Sequence, residues 1–198
     1  MDQNKEITSP EGGLVETKPG IFEIKGFSFL DLTYGFSGAT RDNFSYLYSP
    51  KEEVAKRRYD FATDLGVNPD KIVQMDLAHG DSIAVVTAQN AFDLTDNDHA
   101  HKLAETDAVI TNAKGISLFL LTADCLPIIF YDPVKKVLSL AHVGRKGAEL
   151  NLPVKVVEQM VLKFGSIPSD IVAAIGPAIG PECYEGTDFV GQVEDSLR

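Results

Sequence analysis

Residues 126–142 read LPIIFYDPVKKVLSLAH and contain two apolar runs on either side of a charged segment with a proline. The runs Leu126 to Asp132 and Val137 to His142 consist mainly of aliphatic and aromatic residues, which favours β-strands, and the segment from Asp132 to Lys136 has the composition of a turn. Strands that are apolar on both faces usually lie in the middle of a covered sheet. The stretch therefore predicts the centre of a sheet whose two faces are buried.

Periodicity and capping residues outside this stretch predict two helices and further strands. One helix is expected between Ser49, as N-cap, and Gly66, and an amphipathic helix is expected over Leu152 to Phe164. The other strand candidates are Ile21 to Phe29, Leu32 to Phe36, Ile72 to Met75, Ser82 to Ala88, Ala108 to Thr111, Ile116 to Leu121 and Ile171 to Ile175. This order of elements predicts an α+β domain in which helices cover the faces of sheets.

Length and local composition predict one domain behind a short N-terminal arm. A chain of 198 residues, 44% of them apolar, is long enough to build a hydrophobic core. Residues 1–20 are polar and contain several glycines and prolines, so we expect a flexible arm there and a single domain over 21–198. The polar segment from Asp93 to Glu105 is expected to form an exposed loop, with His99 and His101 at the surface.

Charge and hydropathy exclude several classes of protein. The 29 acidic residues outnumber the 18 Lys and Arg residues, so the net charge is −11 and no basic stripe is available for a nucleic acid. The most apolar stretch, Ile116 to Tyr131, is interrupted by Asp124 and Pro127, and the N-terminus lacks the blocks of a signal peptide. We expect a soluble, cytoplasmic protein without a disulfide framework, in which Cys125 and Cys183 are free.

Three residues that can bind a transition metal lie where predicted strands end or turn, namely His79, Cys125 and His142. Two histidines and one cysteine match one arrangement of catalytic zinc, with a fourth position open. The alternative interpretation of Cys125 is a small buried side chain, which is the commoner role of a free cysteine. Asp124 is unusual among apolar neighbours, because an acid must find a partner if it is buried and must otherwise reach solvent.

Cationic residues follow the second candidate histidine. Arg145 and Lys146 come directly after His142 and Gly144, and they could hold an anionic group such as phosphate. A solvated turn is the alternative interpretation. Arg41 is a third candidate for the same role, with the same alternative.

Several short motifs resemble those of one known family. In chain order they are HGD at 79–81, TDAVIT at 106–111, LTADCLP at 121–127, AHVGRKG at 141–147, GPAIG at 176–180 and CYE at 183–185, with a looser match at YGFS, 34–37. Together they resemble the laccase-domain family, also called multicopper polyphenol oxidase-like.

The resemblance implies a layered α/β/β/α sandwich with mixed sheets, here lacking the family's usual C-terminal section, and a site in a cleft. It implies that His79, Cys125 and His142 are the metal ligands. A multicopper cluster needs roughly ten histidines, whereas this chain has four, so the expected ion is zinc. The family usually has a Trp-Arg pair where this chain has Arg145 and Lys146.

The activity that the resemblance implies is zinc-dependent purine nucleoside phosphorolysis, on adenosine, inosine or methylthioadenosine-type substrates, together with adenosine deamination. Purine nucleoside and phosphate are then the partners. Our hypothesis gives Asp124, Cys125 and His142 catalytic roles and gives Arg41, Arg145 and Lys146 the binding of substrate or phosphate. An incomplete sheet edge would favour self-association, so a homo-oligomer is a further expectation.

Two other functions stay open from the sequence alone. Cys125 could act as a thiolate nucleophile, with His79 or His142 as base, in a hydrolase of small amide compounds such as cell-wall precursors. The chain could also be a non-catalytic protein that binds zinc or a nucleoside. Zinc content and product formation distinguish these functions.

Overall fold

The computed structural model of the chain describes residues 13–29, 31–88 and 101–184. It divides into two compact units with a boundary between Gly66 and Val67, whereas the sequence predicts one domain over 21–198. The units are described in turn.

The first unit contains a small antiparallel sheet and one long helix. The strands β1 (Leu14–Lys18), β2 (Ile21–Ile24) and β3 (Phe36–Ser37) pair in the order β1-β2-β3. A 3-10 turn over Ala39–Arg41 precedes helix α1 (Lys51–Leu65).

Several predictions for this unit differ from the structure. β2 ends at Ile24 and not at Phe29, and the strand predicted over Leu32 to Phe36 is only Phe36–Ser37. Leu14–Lys18 form a strand inside the predicted arm, because Gly20, at a φ of +68°, lets the chain turn back so that β1 and β2 pair. Residues 1–12 of that arm lie outside the described residues. Helix α1 ends at Gly66 as predicted, but Pro50 rather than Ser49 is its N-cap, since the Pro50 carbonyl accepts the Val54 N–H.

The second unit contains two sheets and two helices. Its five-stranded sheet has the order β11-β9-β10-β7-β5, in which β5 and β7 are parallel and the other neighbours antiparallel. Its three-stranded sheet, β6-β4-β8, is parallel. The strands are β4 (Ile72–Met75), β5 (Ile83–Val86), β6 (His101–Leu103), β7 (Ala108–Thr111), β8 (Ser117–Phe119), β9 (Leu126–Asp132), β10 (Val137–Val143) and β11 (Val172–Ile175). The helices are α2 (Arg145–Glu149) and α3 (Leu152–Phe164), and 3-10 turns lie at Pro69–Lys71 and Pro168–Asp170.

The core of this unit has two sides, one on each face of the five-stranded sheet. On one face α3 packs through Val156 and Met160 against Ile110 and Ile128, all fully buried. The other face contacts the three-stranded sheet in a separate cluster whose buried members are Val73, Met75, Val86, Leu103 and Val109. Burial of each such side chain stabilises the fold by about 1.5–3 kcal/mol. The layers of this unit are therefore helix, sheet and sheet.

The predicted α+β class and the central hairpin are confirmed. β9 and β10 lie between other strands on both sides, and six of the seven residues of β9 are buried. β6 and α2 had no predicted counterpart. β6 lies within the predicted exposed loop from Asp93 to Glu105, and α2 begins at Arg145, where a solvated turn was the alternative to an anion site. His99 lies outside the described residues, as does the side chain of His101. No helix within residues 13–29, 31–88 and 101–184 is long and apolar enough to cross a membrane.

Candidate metal centre

The pairing of β9 and β10 brings two of the predicted ligands to one end of the five-stranded sheet. His142 lies opposite Pro127, and Val143 lies opposite Leu126, so Cys125 immediately precedes β9 at the end where β10 finishes. The third predicted ligand, His79, is in the segment between β4 and β5. One ligand atom from each of the three residues lies within 4.8 Å of the others. The structure thus brings together side chains that are up to 63 positions apart in the sequence (142 minus 79).

The segment that carries His79 is fixed by backbone hydrogen bonds to β6 and β7. The Asp76 N–H donates to the Leu103 carbonyl at 2.8 Å, and the Ser82 carbonyl accepts the Asp107 N–H at 2.9 Å. His79 itself has a φ of +55°, a left-handed conformation that non-glycine residues seldom adopt. Since such a conformation costs free energy, the contacts around the segment must hold it in place.

His142 is buried and contacts a buried carboxylate. Its Nδ1 atom lies 3.3 Å from the Asp107 Oδ1 atom, and its ring packs edge-on against the His79 ring with 4.8 Å between the ring centroids. Because Nδ1 faces Asp107, Nε2 is the nitrogen left to bind a metal. Burial lowers the pKa of His142, and the nearby His79 lowers it further. The hydrogen bond to Asp107 acts in the opposite direction and raises this pKa, but the net shift is downward. A lowered pKa favours the neutral imidazole that metal binding requires.

Cys125 lies in a setting that favours the protonated thiol. Burial raises the pKa of Cys125, and the negative charge of Asp124 raises it further. A nucleophilic cysteine needs the opposite environment, with a lowered pKa from a cation or a helix N-terminus. A bound metal ion, by contrast, deprotonates a coordinating thiol through its own charge.

The three residues fit a zinc ion. Zinc bond lengths place the nitrogen and sulfur ligands of a tetrahedral site roughly 3.3–3.6 Å apart, so separations of up to 4.8 Å require a contraction of about 1.5 Å at most. The donor set of two imidazoles and one thiolate suits zinc, and three protein ligands leave a fourth position for another molecule. His79 is exposed, so the cluster is accessible from solvent.

Close approach of Gly144 to Cys125 keeps the cluster compact. A Cβ atom placed at position 144 would lie 3.0 Å from Cys125 Sγ and 3.8 Å from His142 Cε1. Contacts at 3.0 Å are shorter than the usual van der Waals distance, so a side chain here would displace the sulfur. The absence of a side chain at this position is therefore part of the site.

The other predicted site residues occupy different settings. Asp124 is exposed beside Cys125, and its carbonyl accepts the Ile179 N–H at 3.1 Å. Arg145 and Lys146 are exposed in the first turn of α2, where Arg145 Nη1 lies 3.9 Å from Glu149 Oε1. Arg41 belongs to the first unit, where its guanidinium binds Asp64 Oδ2 at 2.6 Å and the Pro19 carbonyl.

Sequence reasoning missed the roles of several residues around the cluster. Asp107 and Gly144 belong to motifs that were recognised, but neither was assigned a function. The sequence signal for Asp107 was an acidic residue directly before the apolar strand β7. In the structure Asp107 is fully buried, and a buried acid needs hydrogen-bond partners. The ion pair between Asp81 and Lys155, 2.5 Å long, joins the His79 segment to α3 and has no local sequence signal.

Comparison with known proteins places the chain in a family. Residues 40–197 match the sequence pattern of the family described as "Multi-copper polyphenol oxidoreductase laccase". The chain belongs to this family.

Two relatives show what share of a full-length protein the chain matches. "Purine nucleoside phosphorylase YlmD" of Bacillus subtilis (strain 168) is 35% identical over 153 residues, which cover 77% of this chain and 54% of that protein. "Purine nucleoside phosphorylase ORF3" of Streptomyces griseus is 38% identical over 132 residues, which cover 67% of this chain and 50% of that protein.

A solved structure in the same fold class confirms the architecture. The crystal structure of the Bacillus licheniformis hypothetical protein YfiH superposes with a TM-score of 0.76 at 30% identity, covering 93% of this chain and 70% of that one. The chain spans about half the length of the curated relatives that it matches. The α/β architecture seen here, with several sheets and few helices, is thus shared with that solved structure.

Proposed function

We propose that this chain carries the metal centre of a zinc-dependent purine nucleoside phosphorylase. The observation that carries the proposal is the convergence of His79, Cys125 and His142 within 4.8 Å, in a chain 35% identical to a relative named for that activity. Adenosine, inosine and methylthioadenosine-type nucleosides are the proposed substrates. Phosphate is the proposed co-substrate.

The reaction exchanges one bond at the sugar for another. An oxygen of phosphate forms a bond to C1′ of the ribose while the bond from C1′ to the purine nitrogen breaks. The purine leaves with the electron pair of that bond and takes up a proton. Catalysis then requires a site that places phosphate, stabilises the developing charge and supplies the proton.

Each of these tasks has a candidate residue in the chain. A zinc ion held by His79, Cys125 and His142 would act as a Lewis acid toward a substrate oxygen. Arg145 and Lys146 begin α2 directly after β10 and offer exposed cations for phosphate. Asp124 is an exposed acid beside Cys125 and is our candidate for moving the proton. Arg41 stays a further candidate for substrate binding.

Adenosine deamination is the second activity that we propose for the same centre. Water adds to C6 of the purine, and the amino group leaves as ammonia after it has been protonated. The exposed carboxylate of Asp124 could accept a proton from the water and return it to the leaving nitrogen. This assignment uses the same residue that phosphorolysis needs.

The chemistry of Cys125 does not favour the cysteine-hydrolase alternative. A pKa raised by burial and by Asp124 keeps the thiol protonated, whereas a nucleophilic cysteine is a thiolate. No observation in the described residues 67–88 and 101–184 favours that function over a metal centre.

The experiment combines metal analysis with product analysis on the full chain. Purified protein is assayed for zinc and incubated with adenosine, with and without phosphate, and the products are separated by chromatography. Cys125→Ala is compared with Cys183→Ala, which removes the exposed free cysteine. We expect about one zinc per chain and phosphate-dependent adenine, both lost in Cys125→Ala and kept in Cys183→Ala.

Three results would contradict the proposal in different ways. Bound zinc without product would identify a non-catalytic binding protein. A metal-free but active enzyme that is inactivated by alkylation of Cys125 would support the hydrolase. Inosine formed without phosphate, with no adenine in its presence, would leave only the deaminase.

A further inference from the structure

Asp107 links two of the three candidate ligands through one buried carboxylate. It is fully buried, immediately before β7 in the second unit. Its Oδ1 atom lies 3.3 Å from His142 Nδ1, and its Oδ2 atom accepts the Gly80 N–H at 2.8 Å. Gly80 directly follows His79 in the chain. One carboxylate oxygen therefore contacts His142 itself, and the other contacts the residue that follows His79.

The backbone of Asp107 repeats this link. Its carbonyl accepts the His142 N–H at 2.7 Å, and its N–H donates to the Ser82 carbonyl at 2.9 Å. The residue is thus bound at both main-chain groups and at both side-chain oxygens to the elements that carry His79 and His142. These four bonds define the position of the carboxylate relative to the cluster.

We propose that Asp107 is a positioning residue that fixes both histidine ligands at once. A carboxylate accepts hydrogen bonds and donates none, so the proton of the neutral His142 ring must sit on Nδ1. Nε2 then carries the lone pair and faces the cluster. Partners of this kind orient the ring of a ligating histidine and are worth about 10- to 100-fold in metal affinity.

The second oxygen holds the segment of His79. His79 has a left-handed backbone, with a φ of +55°, and the bond from Gly80 to Oδ2 lies one residue farther along the chain. Without that bond the segment can relax toward a more ordinary conformation, and the imidazole of His79 moves with it. Asp107 therefore acts on His79 through the backbone and on His142 through the ring.

An asparagine cannot replace this carboxylate, although it has nearly the same shape. It offers one acceptor oxygen and one NH₂ group. If the oxygen accepts from Gly80, the NH₂ group faces His142 Nδ1 and drives the ring proton to Nε2, which removes the metal-binding lone pair. If the oxygen faces His142, the NH₂ group meets the Gly80 N–H, and two donors oppose each other.

The test compares Asp107→Asn with Asp132→Asn in the full chain. Asp132 is also a fully buried acid, but it lies at the other end of β9, in the turn to β10. Zinc affinity is measured by competition with a chromophoric chelator, well below the melting temperature of each metal-free variant. The tautomer of His142 is read from imidazole nitrogen shifts in the metal-free protein. If Asp107 only stabilised the fold, its replacement would lower the melting temperature without changing zinc affinity or the tautomer.

We expect Asp107→Asn to weaken zinc binding by about 10- to 100-fold, with the His142 proton on Nε2 if the asparagine oxygen keeps the Gly80 bond and on Nδ1 if that bond is broken. Asp132→Asn should change neither the affinity nor the tautomer. Zinc affinity of Asp107→Asn within about twofold of the unsubstituted chain would overturn the inference. The inference rests on the metal centre of the proposed function but not on its turnover. A chain that binds zinc, responds to Asp107→Asn and makes no product would refute the phosphorylase and leave Asp107 as assigned.

Discussion

Gly144 lies so close to Cys125 that a Cβ atom at position 144 would stand 3.0 Å from the Cys125 sulfur. Its φ of −84° is one that any residue can adopt, so the constraint on this position is space and not backbone conformation. The glycine follows β10, and Cys125 precedes β9, which pairs with it. A side chain at position 144 would therefore require the sulfur of Cys125 to shift by a few tenths of an ångström.

Gly144→Ala should weaken zinc binding by about tenfold, as outer-shell changes commonly do. The added methyl group needs a shift of a few tenths of an ångström in Cys125, which takes up most of the roughly 0.5 Å within which a site must hold its ligands. Zinc affinity from chelator competition measures the effect. Gly13→Ala is the control, because a Cβ atom there meets nothing within 4 Å. Unchanged affinity in Gly144→Ala would show that the sulfur moves aside without cost to the site.

Lys146→Met should raise the KM for phosphate by about tenfold, since a charge-assisted contact to an oxyanion is worth roughly 1.5–3 kcal/mol. Zinc content should not change, because Lys146 is exposed and is not one of the three ligands. Steady-state kinetics with varied phosphate at saturating nucleoside separates the two effects. Lys135→Met is the control, an exposed lysine in the turn at the other end of β9 and β10. An equal rise in KM in both variants would indicate a general effect of charge, without a phosphate site at Lys146.

The strand pattern was predictable because the central strands are apolar on both faces. Leu126 to Asp132 and Ala108 to Thr111 have the same bounds in the structure as in the sequence analysis. Short edge elements were not predictable, since their stability comes from partners distant in sequence. β6, in a polar segment, forms by pairing with β4, which no local signal reports.

The candidate site likewise has a part that the sequence predicted and a part that it did not. Histidine and cysteine at strand ends are visible in a sequence, and the three candidate ligands were predicted from residue type and motif. The groups that support them were not, because their roles depend on three-dimensional contact. Asp107 is 28 positions from His79 and 35 from His142 (107 minus 79, and 142 minus 107). The pairing of β7 with β10 brings it to His142, and the pairing of β7 with β5 brings it to the His79 segment.

Met160→Ala should destabilise the second unit by about 2–5 kcal/mol, because it removes a large side chain from a closed core. Met160 is fully buried between α3 and the five-stranded sheet. Urea unfolding followed by far-ultraviolet circular dichroism measures the change. Leu162→Ala, on the same helix at 72% exposure, is the control and should change stability by about 0.5 kcal/mol or less. Equal losses in the two variants would contradict the assigned packing of α3.

Asp132 should make the stability of the chain depend on pH in the acid range. It is fully buried at the turn between β9 and β10, where Oδ1 accepts the N–H groups of Val134 and Lys135 at 2.8 and 2.9 Å. Burial alone would raise the pKa of Asp132. The hydrogen bonds from Lys135 and Val134, the side chain of Ser166 and the charge of Lys135 together outweigh burial, and the pKa lies below its ordinary value of 3.8. The folded state thus holds the carboxylate in its charged form.

A folded-state pKa below the unfolded one gives stability that is present above about pH 4 and is lost as the pH falls through the folded value. Asp132→Asn should therefore lower the melting temperature at pH 7, by an amount corresponding to about 1–2 kcal/mol. The difference from the unsubstituted chain should shrink as the pH falls below about 4, because the lowered pKa of Asp132 is then approached. Thermal unfolding of the metal-free protein across this range checks the trend. A difference that is constant with pH would mean that the charge of Asp132 contributes nothing and that only the shape of its side chain matters in the turn.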